Sequence, residues 1–171
     1  MKKLLFTLLT CSFAFSAIAQ DATQPKGTWY LGTADATQVF NLFSSNGMEV
    51  SPFVGYAVAD NIAITVGLDY ASMTTEVEGG DDQEMSASNI TIGGAYFFGD
   101  DFYAQAGIGL GSSSSTGTDD LSSTQIQIGL GKFIPVKDMW YVSPQFSYGT
   151  MSTDGQSGAA ASIGISFGAR F

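Results

Sequence analysis

Histidine is absent from this sequence of 171 residues, and its one cysteine, Cys11, sits in an apolar stretch near the N-terminus. Such a chain has no intramolecular disulfide, no Cys/His metal centre and no imidazole base. Its many Ser and Thr hydroxyls therefore lack the usual base partner that would make one of them a nucleophile, so we expect no enzyme and no cofactor. Positive charge is scarce too: 6 Lys and Arg stand against 16 Asp and Glu, a balance that excludes nucleic acid as a partner. Charged residues of both signs make up only 13%, too few to clothe an ordinary soluble domain. No apolar run reaches the ~20 residues of a membrane-spanning helix. Something other than water has to cover part of the surface, and a helix is not what crosses into it.

The first nineteen residues have the three parts of an export signal: Lys2 and Lys3, an apolar run from Leu4 to Phe15, and Ala17-Ile18-Ala19 before Gln20. Cleavage is expected after Ala19. Thr10 is a poor match to the small residue that a lipoprotein signal places before its cysteine, so Cys11 reads as part of the apolar run. The chain divides into a cleaved signal (1–19), a short N-terminal segment (20–26) and one β domain (27–171). Without the signal, Lys26, Lys132, Lys137 and Arg170 face all sixteen acids, a net charge of about −12.

Glycine is plentiful, at 21, and aromatics reach 13%. From Gly27 onward apolar residues alternate with small or polar ones at period 2, the mark of strands with two unlike faces. Ile62, Ile64, Val66, Leu68 and Tyr70 oppose Ala63, Thr65, Gly67 and Asp69; Trp140, Val142, Pro144, Phe146 and Tyr148 oppose Tyr141, Ser143, Gln145 and Ser147. The same split recurs until eight strands are counted. Short turns are expected at Ala59-Asp60-Asn61, Gly99-Asp100-Asp101 and Pro135 to Asp138. Longer polar loops are expected near Asp35 to Gly47, Glu76 to Glu84, Ser112 to Ser122 and Met151 to Gln156. Val39, Phe40, Leu42 and Phe43 fit either an extension of the first strand or a helical turn.

An eight-stranded barrel has room inside for little more than side chains, which favours small residues inward and bulky ones outward, against lipid. The expected fold is all-β, an eight-stranded antiparallel up-and-down transmembrane β-barrel. Trp29, Tyr56, Tyr96, Phe98, Phe102, Trp140 and Phe171 lie at strand ends beside the short turns, as a lipid-facing aromatic girdle would. Glu49, Asp69, Gln105, Gln125, Gln127, Gln145, Tyr103, Tyr141 and Arg170 face the lumen, either as a hydrogen-bonded plug or as the lining of a narrow cation-preferring path.

Ser51-Pro52-Phe53-Val54-Gly55-Tyr56 leading into Ala59-Asp60-Asn61, the run Gly107 to Gly111, and the ending Phe167-Gly168-Ala169-Arg170-Phe171 resemble the small outer-membrane β-barrel proteins of the OmpA/OmpX-like (opacity/porin-like) superfamily. The resemblance implies a Gram-negative cell outer membrane, lipid and lipopolysaccharide as surroundings, periplasmic termini and short turns, and extracellular long loops. It also implies recognition of the C-terminal strand, ending at Phe171, by barrel assembly machinery. The role it implies is non-enzymatic, structural or surface-interacting through acidic loops; the alternative is a small porin, and the extracellular partner is unspecified. Gly27-Thr28-Trp29 resembles the Gly-x-Trp opening of soluble lipocalins, but no later Thr-Asp-Tyr or C-terminal helical pattern follows. Glu76, Glu78, Asp81, Asp82 and Glu84 could gather Ca²⁺ or Mg²⁺ through oxygen ligands. Their spacing does not match an EF-hand loop, and a solvated, self-repelling loop is the expectation.

Overall fold

The computed structural model describes residues 23–38, 47–75, 82–154 and 156–171. The expected signal segment, the Val39 to Phe43 stretch, Glu76, Glu78 and Asp81 lie outside the described residues. Ten strand segments appear: β1 (Trp29–Thr33), β2 (Gly47–Val50), β3 (Pro52–Ala59), β4 (Ile62–Thr75), β5 (Gln83–Phe98), β6 (Phe102–Ser115), β7 (Leu121–Lys132), β8 (Ile134–Lys137), β9 (Trp140–Thr153) and β10 (Gln156–Arg170). They form one antiparallel sheet that closes on itself, β10 pairing β1 from Tyr30↔Arg170 to Thr33↔Phe167. β2 and β3 both pair β4 in continuous register on either side of Ser51, and β7 and β8 both pair β9 on either side of Phe133. The ten segments are thus eight strands, each hydrogen-bonded to its sequence neighbours, in an up-and-down barrel.

The turns explain themselves residue by residue. Non-glycine residues with positive φ are Asn61, Asp100, Asp101, Asp138 and Asp154. Asn and Asp are the side chains that tolerate this region and can hydrogen-bond their own backbone there. Two expected connections need correction. Pro135 to Asp138 is no turn: Ile134–Lys137 is strand β8, and Lys137 pairs Trp140 across Asp138-Met139. Pro135 is admitted because β8 has a β partner on one side only and carries a bulge between Pro135 and Lys137. The Met151 to Gln156 stretch is no long loop either. Gln156 pairs Thr153, so the two strands are joined at Asp154 without a long loop between them. Strands also run further than expected elsewhere, β6 to Ser115, β7 from Leu121 and β5 from Gln83, so that Glu84 belongs to a strand.

The two faces differ sharply. Outward-pointing residues of four strands are apolar over spans of equal length, Ile62 to Tyr70, Ile90 to Phe98, Phe102 to Leu110 and Trp140 to Tyr148, and most of these large side chains are exposed. Each span is about 26 Å along the strand at ~3.3 Å per residue, or about 20 Å in height at a tilt of ~40°. Beyond the band the outward face turns to hydroxyls. Ser72, Ser86, Ser88, Ser112 and Ser114 follow the apolar residues, with Ser86 and Ser114 hydroxyls 2.9 Å apart and Ser88 and Ser112 3.1 Å apart. The bulky aliphatics point out and the amides and buried rings point in, the reverse of a soluble lipocalin-like barrel.

Candidate functional site

The lumen collects the polar and aromatic side chains that alternation turns inward, and it is organised in tiers. At the short-turn end Tyr30, Phe97, Tyr103, Phe133 and Tyr141 fill the bore with rings, all essentially buried, down to 0% exposure for Tyr141. Phe133 is the centre: its centroid lies 4.1 Å from Tyr141, 5.1 Å from Tyr103, 5.2 Å from Phe97 and 5.8 Å from Tyr30. Two of these rings lie across inward glycines. A Cβ on Gly131 would stand 2.5 Å from Tyr103 Cζ and Oη, and one on Gly168 would stand 2.7 Å from Tyr141 Oη.

Below the rings the chain preceding β1 folds across the opening. Gln24, 1% exposed, accepts from Tyr30 Oη at 2.8 Å through Oε1 and donates from Nε2 to Asp101 Oδ1 at 2.8 Å. Asp101 Oδ1 is also 3.3 Å from Arg170 Nη1. Asn61 ties the same segment down, its Oδ1 accepting from Gln24 N at 3.1 Å and its N donating to Gln24 O at 2.8 Å.

Above the rings the lining is amides and hydroxyls. Tyr103 Oη is 2.9 Å from Ser143 Oγ and donates to Gln145 Oε1 at 3.3 Å; Gln105 Nε2 reaches the same oxygen at 3.4 Å, and Gln145 Nε2 donates to Ala34 O at 3.2 Å. A cavity of about 180 Å³ opens here, with Thr65, Asp69 and Gln127 among its walls. Higher still is a well of about 360 Å³ walled by Gln38, Glu49, Asp69, Asn89 and Gln125, and then a mouth of about 490 Å³. Glu49 accepts from Gln38 Nε2 at 2.8 Å, and Asp69 accepts from Asn89 Nδ2 at 3.2 Å.

The residues anticipated for the interior divide between these tiers. Tyr103, Tyr141 and Arg170 belong to the closed end, Gln105, Gln127 and Gln145 to the middle, and Glu49, Asp69 and Gln125 to the well. Sequence reasoning passed over Gln24, Tyr30, Asp101 and Phe133. Continuing the alternation of β7 one step past Gly131 would have found Phe133. Gln24 carried no signal, being a polar residue in a segment taken for a leader to the barrel.

On the outer surface at the short-turn end, aromatic pairs follow one another. Trp29 and Tyr56 centroids are 4.8 Å apart, Tyr96 and Phe98 6.4 Å, Phe98 and Phe102 6.2 Å, with Lys132 Nζ 4.4 Å above the Phe102 ring. Trp140 stacks on Phe167 at 5.3 Å, a partner that sequence reasoning did not assign. Phe171, 59% exposed, exchanges backbone hydrogen bonds with Trp29 at 2.7 and 3.1 Å. Asp82 and Glu84 are exposed, and among the described residues no three acids gather as a metal site.

A closed eight-stranded barrel that is apolar outside and polar or aromatic within defines a transmembrane β-barrel. The sequence matches the family model "Outer membrane protein beta-barrel domain" over residues 7–171, and the chain belongs to that family. Its place is the outer membrane, with lipid around the apolar band. No curated protein matches the chain in sequence. Among solved structures it is similar to the crystal structure of Ail, the attachment invasion locus protein of Yersinia pestis, at 16% identity and a TM-score of 0.46, over 85% of this chain and 94% of that one.

Proposed function

We propose that this protein is a closed, non-enzymatic outer-membrane barrel that serves as a structural or surface-interaction element, its acidic loops facing the exterior and its short turns and both termini the periplasm. The observation that carries the reading is the ring cluster centred on Phe133, which fills the bore at the end where Gln24, Asp101 and Arg170 are bonded together. Eight strands leave little free bore to begin with, and a hydrated ion would have to displace buried aromatic side chains to pass.

The charge distribution supports the orientation. Lys26, Lys132, Lys137 and Arg170 all belong to the short-turn end, whereas Glu49, Asp69, Asp82, Glu84, Asp119, Asp120 and Asp154 lie towards the loops. On this reading the signal is cut after Ala19, Trp29, Tyr56, Tyr96, Phe98, Phe102, Trp140 and Phe171 sit at the periplasmic boundary of the lipid, and Lys132 and Lys137 lift their ammonium groups towards water. The strand ending at Phe171 is the segment offered to the assembly machinery. With no basic residue at the loop end, contact with lipopolysaccharide runs through hydroxyls or bridging cations rather than Lys–phosphate pairs.

Planar-bilayer recording on refolded protein is the test. The expected result is silence from the wild type and opening events from a Tyr103→Ala/Phe133→Ala double variant, which removes the centre of the ring cluster. Reproducible, cation-selective conductance of the wild type would overturn the closed reading in favour of the small-porin alternative, whose path would follow the cavities lined by Gln105, Gln127 and Asp69.

A further inference from the structure

The barrel closes along a seam whose own rungs specify their register poorly. β1 and β10 pair in the sheet only from Tyr30↔Arg170 to Thr33↔Phe167. Slipping one strand by a single residue would turn its apolar side inward, and the alternation of faces forbids that. A slip of two residues keeps the faces. Ile165, Phe167, Ala169 and Phe171 are all apolar on the outward side, and the backbone bonds between Trp29 and Phe171 can be made by any residue. The inward side is what such a slip changes. There β10 offers Gly164, Ser166, Gly168 and Arg170, and only Arg170 has length or charge.

Arg170 is held from across the bore. With β2 and β3 counted as one strand, and β7 and β8 as another, four strands run from β1 to β5 and four from β6 to β10. The β5–β6 turn, which carries Asp101, therefore lies opposite the seam. Arg170 Nη1 stands 3.3 Å from Asp101 Oδ1, the only ion pair among the described residues, and the two side chains are 27% and 19% exposed. The same carboxylate oxygen accepts from Gln24 Nε2 at 2.8 Å, and Gln24 Oε1 accepts from Tyr30 Oη at 2.8 Å. Tyr30 and Arg170 are opposite each other across the seam. One carboxylate thus holds both strands at the same rung, β10 directly and β1 through a buried amide.

Asp101 belongs to neither strand. Its carbonyl accepts from Phe133 N at 2.9 Å, and Gln24 is fixed separately through the Asn61 backbone and side chain. Its φ of 62° accounts for an Asp or Asn at this turn, but not for a carboxylate aimed across the bore at two partners. A partly enclosed ion pair adds little net stability, because desolvation offsets the attraction; its effect is to disfavour arrangements that leave either charge unpaired. A two-residue slip moves Arg170 by about 6.6 Å at ~3.3 Å per residue, which leaves Asp101 without its cation.

We propose that Asp101 is the register pin of barrel closure: by holding Arg170 directly and Tyr30 through Gln24, it selects the one pairing of β1 with β10 in which the barrel shuts. The pin is independent of whether the bore conducts, and bilayer recordings do not decide it.

Disulfide trapping tests it, on full-length Cys11→Ser chain refolded into vesicles of a twelve-carbon phosphatidylcholine and oxidised with copper phenanthroline. Leu31→Cys/Ala169→Cys reports the native rung. Leu31→Cys/Phe167→Cys and Leu31→Cys/Phe171→Cys report slips of two in either direction. Directly opposite residues lie within disulfide reach, whereas diagonal neighbours at roughly 7–8 Å do not. With Asp101 present, the native pair should cross-link at least about tenfold more than either slipped pair, as the difference in reach requires. Asp101→Gly keeps the left-handed backbone and removes the side chain, and Gln24→Ala removes only the arm to β1. Each should raise a slipped pair at least about fivefold at the expense of the native one, the loss of a discriminating contact of about 1 kcal/mol. Gly131→Ala, which crowds Tyr103 and leaves the pin intact, should keep the native pattern. Cross-links are read only in the heat-modifiable, folded band. A native-only pattern in whichever pin variants fold, or the same redistribution in Gly131→Ala, would overturn the proposal. So would failure of both pin variants to fold while Gly131→Ala folds, since the tie would then be a requirement of folding rather than a choice of register.

Discussion

Gly131 illustrates how a single missing carbon sets the interior. Tyr103 lies over it with Cζ and Oη where a Cβ would be, and the ring is held between Phe97 and Phe133 at 5.6 and 5.1 Å. Gly131→Ala therefore has no cheap relief and is expected to cost about 1–3 kcal/mol, as overpacking does, read as a lower urea midpoint in lipid vesicles. Gly164→Ala is the contrast: the added Cβ would meet Gln145 Nε2 first, at 3.7 Å, an ordinary contact, so the same measurement should register a change within about 0.5 kcal/mol. The tyrosines separate in the same way. Tyr141 Oη is buried with no partner, so Tyr141→Phe should be neutral or stabilising, whereas Tyr103→Phe gives up Ser143 and Gln145 and should cost about 1 kcal/mol. The inward position of Tyr103 and Tyr141 was legible from alternation alone. That their rings pack together in the bore at the short-turn end was not, because ring stacking depends on which strands the barrel brings opposite each other.

At the level of elements, the seam between β1 and β10 is the shortest pairing in the ring. Only Tyr30 to Thr33 pair with β10 in the sheet, and Trp29 and Phe171 finish the ladder with two backbone bonds. Deleting Phe171 removes both bonds and the terminal ring together. Slower conversion to the heat-resistant, fast-migrating form during refolding is the expected outcome; an unchanged rate would mean that the last rung plays no part in closure. The β9–β10 hairpin turns through Asp154 at φ 45°. Asp154→Val puts a β-branched residue there and should destabilise the hairpin by about 1–2 kcal/mol, measurable by the same urea series. Strand count and alternation of faces could be read from the sequence because period 2 runs nearly unbroken. Strand ends could not, since Ser and Thr serve equally in a loop and on the hydroxyl face of a strand. That ambiguity turned Ser112 to Ser122 and Met151 to Gln156 into longer loops than they are, and the Asp154-Gly155 pair, a hairpin signal in its own right, was overlooked within one of them.

For the whole molecule, the order of tiers along the axis matters more than any one of them: outward aromatic pairs, the inward ring cluster and the basic residues among those described at one end, the well with Glu49 and Asp69 and the hydroxyl-faced strands at the other. The resemblance carried by the Ser51 to Asn61 stretch and the terminal Phe171 identified the family, and the matching family model over residues 7–171 agrees with it. The well walled by Gln38, Glu49 and Asp69 had no such cue. It needs Gln38, Glu49 and Asp69 brought together from three chain segments, and no local spacing announces that. Cell fractionation should recover the protein with outer membranes and only in detergent; recovery in the soluble periplasmic fraction would contradict the family assignment.

The apolar band from Ile62 to Tyr70, about 20 Å in height at ~3.3 Å per residue and a ~40° tilt, is shorter than the ~30 Å hydrocarbon core of a common phospholipid bilayer. Above it the wall changes to serine without a graded transition, so the barrel cannot sink further to hide the difference. Acyl chain length then becomes a determinant of its assembly. Refolding into vesicles of twelve-carbon lipids should outpace refolding into eighteen-carbon lipids, because the thicker bilayer has to thin around the protein at a fraction of a kcal/mol per ångström of mismatch. A thin membrane is a matched host for this chain, and a thick one turns it away before any receptor is consulted.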